Sequence, residues 1–397
     1  MRKLQITDRA ASRIKAGQRL LQSYDFDQPA AAMGQAEGKL VQLHDSHHQF
    51  VAKALMGQQN KGLGWVFTLD PDIHFDHDFI DNIIEDAIQA RAGLFEDQTT
   101  TAFRLYNGEG DGLGGMTIDY YQDYLQITWY TRALYSQRDW VLQVLTHYLP
   151  QTLGVYETKR FELEEGEKAI DLLYGQEAPQ PLLVKENNQV MAVYLGQDWM
   201  TGVFLDQREV RAFIRSQAAG SKVLNLFSYT GAFSVAAALG GATATVSVDV
   251  ANRSLERTAE QFAVNGLSAP SDQHQIRVMD VFDYIQYAKR HEMTFDWVIC
   301  DPPSFARTKD YLFRADKDYQ ALASDLLSLT GPGGFCVLST NHAGIDKDSF
   351  KDQIQAAADA LPGHYYFMQS FKLGTDFPTS KDPMSQYLKV LVYYRAQ

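Results

Sequence analysis

Val223-Leu-Asn-Leu-Phe-Ser-Tyr-Thr-Gly-Ala-Phe233 runs an apolar strand into a polar turn with one glycine, and then into a helix over Ala232–Leu239. In open α/β sheets ligands bind in the crevice at the carboxyl ends of the strands, so this turn is where a bound molecule is expected. Residues 223–248 contain no charged side chain, but Asn225, Ser228, Tyr229, Thr230 and three glycines interrupt them. That reads as buried strand, loop and helix, not as a membrane span. Downstream, strand-like and helix-like runs alternate at residues 244–248, 254–265, 276–279, 297–300, 319–329 and 335–339. The alternation predicts an α/β fold, a Rossmann-like parallel sheet with helices on both faces.

The next strand ends at Asp249, followed by Val250. A carboxylate there can accept both hydroxyls of a ribose lying over the first turn, which implies a nucleoside-containing cofactor. The turn lacks the G-x-G-x-x-G needed to approach a pyrophosphate, and Tyr229, Thr230 and Phe233 are too bulky for it, so hydride transfer is disfavoured. Asp280 closes the run at 276–279; with Val281 and Phe282 it suits an adenine amino group and ring. Cys300-Asp-Pro-Pro-Ser-Phe305 ends a further strand, and the two prolines fix the backbone beyond Asp301. Such rigidity suits a reaction centre, although a plain strand-ending turn uses the same residues.

Working outward, 397 residues suggest two or three domains. Gln-Glu-Ala-Pro-Gln-Pro181 breaks periodicity before a strand pair turning at Asn187-Asn188. The expected division is a β-rich module at 1–72, a middle α+β domain at 73–180 and the α/β domain at 181–397. In the middle part Phe79, Ile80, Ile83, Ile84 and Ala87 recur at helical spacing behind a cap at Asp76 or Asp78. A charged fraction of 21% and an apolar fraction of 45% predict a chain folded throughout. A net charge of −13 excludes nucleic-acid binding through the whole-surface field, so any such contact is local. The first 22 residues nonetheless hold Arg2, Lys3, Arg9, Arg13, Lys15 and Arg19 against the single acid Asp8. Cys300 and Cys336 stand at no metal-ligand or disulfide spacing; no metal and no membrane are expected, and a reducing cytoplasm fits.

These motifs together resemble the class I S-adenosylmethionine-dependent methyltransferases that act on 23S rRNA. Residues 103–119, Thr201-Gly-Val-Phe-Leu-Asp-Gln-Arg208 and Tyr387-Leu-Lys389 are similar to the subfamily with an N-terminal PUA RNA-binding domain, over essentially the whole chain. The resemblance implies S-adenosylmethionine as cofactor and 23S rRNA, naked or partly assembled, as partner, and it allows a homodimer. It implies that Phe204, Asp206 and Arg208 frame the methionine end, and that Asn225, Phe227, Ser228, Tyr229, Thr230 and Gly231 wrap the cofactor. It further implies that Asp249 holds the ribose and Asp280 with Phe282 the adenine, with Val250 and Val281 also at the cofactor. Asp301, with Pro302 and Pro303, then faces both cofactor and target base, and Phe305, Arg307 and His342 meet the RNA. Arg307, Lys309, Arg314 and Lys317 cluster after the reaction loop, partly offset by Asp310 and Asp316.

One departure decides the chemistry. Members that methylate cytosine C5 carry Ser-Cys-Ser after the last core strand, where this chain has Thr340-Asn341-His342. Cytosine C5 is a poor nucleophile until a thiolate adds at C6, and an amide cannot do this. Guanine N7 has an exposed lone pair and needs only alignment and exclusion of water. A related guanine-N7 enzyme with Ser-Asn-Asn at this point is also similar. Guanine N7 is therefore the expected atom. Cytosine C5 through a different nucleophile, and a non-catalytic RNA-binding or assembly factor that keeps the fold, stay as alternatives. Strand alternation points Cys300 away from Asp301, as a core cysteine.

Overall fold

The computed structural model describes residues 1–28, 34, 36, 38–59, 62–307 and 312–396. They form two compact units. The first comprises Met1–Leu182, Tyr194–Thr201 and Thr375–Ser385. Among its described residues are two five-stranded sheets, one drawn from residues 2–68 and one from residues 102–175. The basic start is the helix Asp8–Lys15, capped by the Thr7 side chain, which buries Ala10, Ala11 and Ile14 and leaves Arg9 and Lys15 exposed. Of the two expected caps for His77–Ala90, Asp76 does the work: its Oδ1 accepts from the Phe79 N–H at 3.0 Å.

The two sheets share a core. Leu20, Leu55, Trp65 and Phe67 of the N-terminal sheet pack in one cluster with Phe103, Met116, Trp129 and Leu134. The glycines of residues 103–119 serve this junction, since a β carbon at Gly114 would collide with the Trp65 indole and one at Gly110 with the Pro378 backbone. The far segment Thr375–Ser385 is stitched in by polar contacts. Asp376 accepts from the Arg104 N–H at 3.1 Å and, through its carbonyl, from Arg91 at 2.8 Å, while Asn107 Nδ2 donates to Pro378 O at 2.8 Å. An irregular segment held by such contacts carries no periodic signal, and sequence patterning did not foresee its place.

The second unit comprises Leu183–Val193, Gly202–Gly374 and Gln386–Gln397. Its main strands are β1 (Lys222–Leu226), β2 (Ala244–Asp249), β3 (His274–Val278), β4 (Phe295–Cys300), β5 (Thr330–Thr340), β6 (Tyr365–Phe371) and β7 (Lys389–Arg395). They lie in the order β3-β2-β1-β4-β5-β7-β6. The first five are parallel and β7 is antiparallel to both its neighbours. The helices are α1 (Arg208–Gln217), α2 (Ala232–Leu239), α3 (Ser254–Ala263), α4 (Val281–Arg290), α5 (Ala315–Leu329) and α6 (Lys347–Asp359). The expected alternation of strands and helices is observed. The chain moves outward from β1 to β3 and then returns to β4, so the order reverses between β1 and β4 and a crevice opens at their carboxyl ends. Leu224, Leu226, Val246, Val298, Leu326 and Leu338 form the apolar core that fixes these ends.

Before this sheet, Leu182–Glu186 and Gln189–Val193 make the expected hairpin, and Asn187 and Asn188 have φ of 49° and 63°. Two left-handed residues are what a tight hairpin turn of this hand requires, and asparagine tolerates them best after glycine. Side-chain amides zip its second strand: Gln261 bonds both N–H and C=O of Ala192, and Asn265 does the same for Val190.

Candidate active site

The turn after β1 is contorted. Phe227, Tyr229 and Gly231 have φ of 54°, 53° and 77°. For bulky side chains this conformation costs about 1–3 kcal/mol each and persists only where the surroundings impose it. Here the Ser228 N–H reaches Val248 O at 3.0 Å, the Gly231 N–H reaches Ser228 O at 2.7 Å, and Thr230 Oγ1 donates to Gly202 O at 2.7 Å. Asp249 completes the clamp: its Oδ2 accepts from the Tyr229 N–H at 2.8 Å and its Oδ1 from the Ala251 N–H at 2.9 Å. Each carboxylate oxygen has a second lone pair, so the group is fixed in orientation and can still accept two ribose hydroxyls. Val250 beside it is 67% exposed.

Some sequence assignments change. Asn225 is buried, and its amide donates to Ser234 Oγ at 3.0 Å, with Ser247 Oγ a further 2.7 Å on, a chain of bonds that braces the turn. Gly231 is among the residues expected to wrap the cofactor. Its left-handed φ and the Thr258 side chain against it already require glycine. Val281 is a core residue rather than an open wall. Asp280 caps α4, with both the Phe282 and Asp283 N–H groups on its Oδ1, at 2.8 and 3.3 Å. The half-buried Phe282 ring meets Phe227 edge-on at 6.0 Å.

Across the crevice, Phe204 is exposed with its ring 5.3 Å from that of Tyr229. Arg211 holds it from below, donating to Phe204 O at 2.8 Å while pairing with the buried Glu186 through two 2.6 Å bonds. Asp206 Oδ2 accepts from the Tyr387 hydroxyl at 2.8 Å, and Arg208 is buried at the start of α1.

Asp301 sits at the end of β4, with Pro302 buried and Pro303 exposed after it. Gln207 Nε2 donates to Asp301 Oδ2 at 3.1 Å and to Ser339 Oγ at 3.0 Å. The Tyr319 hydroxyl fixes Ser339 through its carbonyl at 2.6 Å. Burial pushes the Asp301 carboxyl up to about 6, with the Asp206 charge acting the same way and Ser339, Gln207 and Arg211 opposing it.

The structure brings Asn341 to this loop, its Oδ1 accepting from Ser304 Oγ at 2.8 Å. Phe305 is 58% exposed and lies edge-on to His342, ring centres 6.3 Å apart. Arg314 stands 5.9 Å over the Phe305 ring but is paired with Asp316 at 2.9 Å. Arg307 is exposed on the short strand Phe305–Arg307, which pairs with Leu312–Arg314; Lys309 and Asp310 lie outside the described residues. Lys389 braces the Asn341-His342 turn, donating to His342 O at 2.8 Å and Tyr387 O at 2.9 Å, and burial pulls its amine down to about 8. Both cysteines are buried, and burial pushes their thiols up, Cys336 to about 12.

Gln207, Ser339, Tyr319 and Ser304 were not singled out from sequence. The Asp-Pro-Pro-Ser motif named its aspartate, while the partners come from distant elements. One further feature tests the cofactor. Gln207 Oε1 is buried and has no hydrogen-bond partner among the described residues. An acceptor beside Asp301, acceptors for a diol at Asp249 and a carboxylate at Asp280 suit a ligand with an ammonium, a ribose and an adenine amine.

A sheet of this order, with an aspartate ending β2 and another just after β4 beside a contorted first turn, is the frame of a methyltransferase, and the chain belongs to the S-adenosylmethionine-dependent methyltransferase family, which matches residues 160–394. S-adenosylmethionine is its cofactor, and a PUA-like domain matches residues 4–69. It is 44% identical over 396 residues to YwbD of Bacillus subtilis strain 168, named as a candidate ribosomal RNA large subunit methyltransferase, with 99% of each chain covered. It is 30% identical to ribosomal RNA large subunit methyltransferase I of Shewanella frigidimarina, over 89% of this chain and 88% of that one. Among solved structures it resembles SMU.776, a candidate methyltransferase complexed with SAH, at a TM-score of 0.91 and 38% identity over 99% of this chain and 100% of that one. A candidate methyltransferase from Streptococcus mutans resembles it at a TM-score of 0.90 and 37% identity, over the same shares. Among the described residues no helix is long and apolar enough to cross a membrane.

Proposed function

We propose that this chain methylates a base of large-subunit ribosomal RNA, and that the atom is guanine N7. The names of its relatives support the RNA class, and the PUA-like module with exposed Lys3, Arg9 and Lys15 supports a local grip on phosphates in an acidic protein. In this reading residues 1–72 grip RNA, 73–180 form a middle α+β domain and 181–397 carry the chemistry.

One observation carries the choice of atom. The sequence holds two cysteines, both thiols are buried and held protonated, and the position after β5 where a nucleophile would stand is Asn341. Covalent activation of cytosine therefore has no thiolate to use, whereas N7 of guanine needs none.

S-adenosylmethionine supplies the electrophilic methyl group when bound. Asp249 would hold its ribose, Asp280 and Phe282 its adenine, and Phe204, Asp206 and Gln207 its methionine end. Methylation at N7 leaves the purine ring cationic, and the ionised Asp301 offsets that charge in a half-buried site where it counts for more than in water. Pro302 and Pro303 hold the loop rigid, Asn341 and Ser304 hold its far side, and Phe305 and His342 flank an extruded base. Single-turnover assays on 23S rRNA transcripts, read by nucleoside mass spectrometry, test the reading; 7-methylguanosine supports it and 5-methylcytidine overturns it.

A further inference from the structure

Gln207 places both of its amide protons on groups of the reaction centre, one on Asp301 Oδ2 and one on Ser339 Oγ. The bond to Asp301 fixes the amide's direction, because turning it over would set its carbonyl against a carboxylate. The result is a carbonyl oxygen buried without a partner among the described residues, at a residue only 2% exposed. An orphaned buried acceptor lowers stability, and a leucine of similar size would avoid it. The arrangement is thus poor as fold support and well made for holding one carboxylate.

We propose that Gln207 is the positioning residue for Asp301, tying its Oδ2 to Ser339 so that the ionised carboxylate presents a fixed face to the base being methylated. The inference rests on the reading of Asp301 given above. The charged and titratable groups that act on Asp301 through space are Asp206 from the turn before α1, Arg211 from α1, Cys300 behind it on its own strand and Tyr319 from α5. Beside them Gln207 gives the carboxylate a hydrogen-bond donor at Oδ2.

The test compares single-turnover methylation of a 23S rRNA transcript across pH for the full-length protein and its Gln207→Leu, Gln207→Glu and Asp301→Asn variants, with S-adenosylhomocysteine affinity and Tm measured alongside. In the unmodified protein the rate should fall on the acid side of about pH 6. Gln207→Leu removes a donor to a carboxylate, so this limb should move up by about one pH unit and kcat fall about 10-fold or more. Because Gln207 Oε1 is also assigned to the cofactor's ammonium, S-adenosylhomocysteine affinity should fall in Gln207→Leu, so rates are compared at saturating cofactor, and Tm reads any loss of folding. Gln207→Glu, isosteric and acidic, should move the limb further, because two adjoining carboxyls do not both ionise readily. A limb that is lost in Asp301→Asn but unmoved in both Gln207 variants overturns this inference alone. A limb and rate unchanged in Asp301→Asn overturn the reading of Asp301 beneath it.

Discussion

Replacing Asp249 by alanine separates its two duties. The carboxylate holds the Tyr229 and Ala251 N–H groups at 2.8 and 2.9 Å, and in the account above it also accepts the ribose hydroxyls. Bonds to a charged acceptor contribute about 1.5–3 kcal/mol, so the cofactor should bind about 10- to 150-fold more weakly. The structure adds a cost, because the strained Tyr229 loses its tie, and about 1–3 kcal/mol of stability should go with it. Calorimetry with S-adenosylhomocysteine reads the first effect and urea unfolding the second. Asp280→Ala is the comparison, expected to lose about 1 kcal/mol as a helix cap. Affinity unchanged by Asp249→Ala, with stability reduced, would refute the ribose assignment and leave Asp249 as a purely structural clamp.

Other outcomes follow from single contacts. The Asp301 carboxyl titrates near 6 when folded, against about 3.9 when unfolded, so the folded state binds the proton more tightly. The stability this gives is present at low pH and is lost as pH rises through about 6. Asp301→Asn should therefore raise Tm above that pH while methylation drops roughly 100-fold, and a lower Tm there would contradict the assigned burial. Cys300→Ala and Cys336→Ala should leave turnover within a few-fold, and denaturing gels should show no RNA adduct; loss of activity with intact folding would restore a thiol pathway. Deleting residues 1–72 would strip Trp65 and Phe67 from a shared core, so charge reversal at Lys3, Arg9 and Lys15 is the sounder probe of RNA grip. It should weaken binding and flatten the salt dependence by up to about one counterion per charge, and an unchanged slope would remove the module from the RNA contact.

The sheet was legible because its signals are local: an uncharged strand and helix after residue 223, acidic residues at strand ends, and prolines after Asp301. The hairpin was legible for the same reason, since Asn187-Asn188 is a turn by its own chemistry. What escaped lies between elements. The amide of Asn225 turns into the packing through Ser234, and no sequence pattern tells a buried polar brace from a ligand contact. Gln207 sits between two residues assigned to the cofactor, yet its partners Asp301 and Ser339 are far away in the chain. The glycines of residues 103–119 marked a motif without revealing that Trp65 and Pro378 fill the space they leave.

The central claim is that methyl transfer here proceeds by alignment, without a covalent link to the base. Its most direct test is nucleoside mass spectrometry of 23S rRNA transcripts methylated in vitro by the purified protein, alongside the double Cys300→Ala, Cys336→Ala variant. The account predicts 7-methylguanosine from both proteins at similar yield, and 5-methylcytidine from the unmodified protein, lost in the double variant, would contradict it.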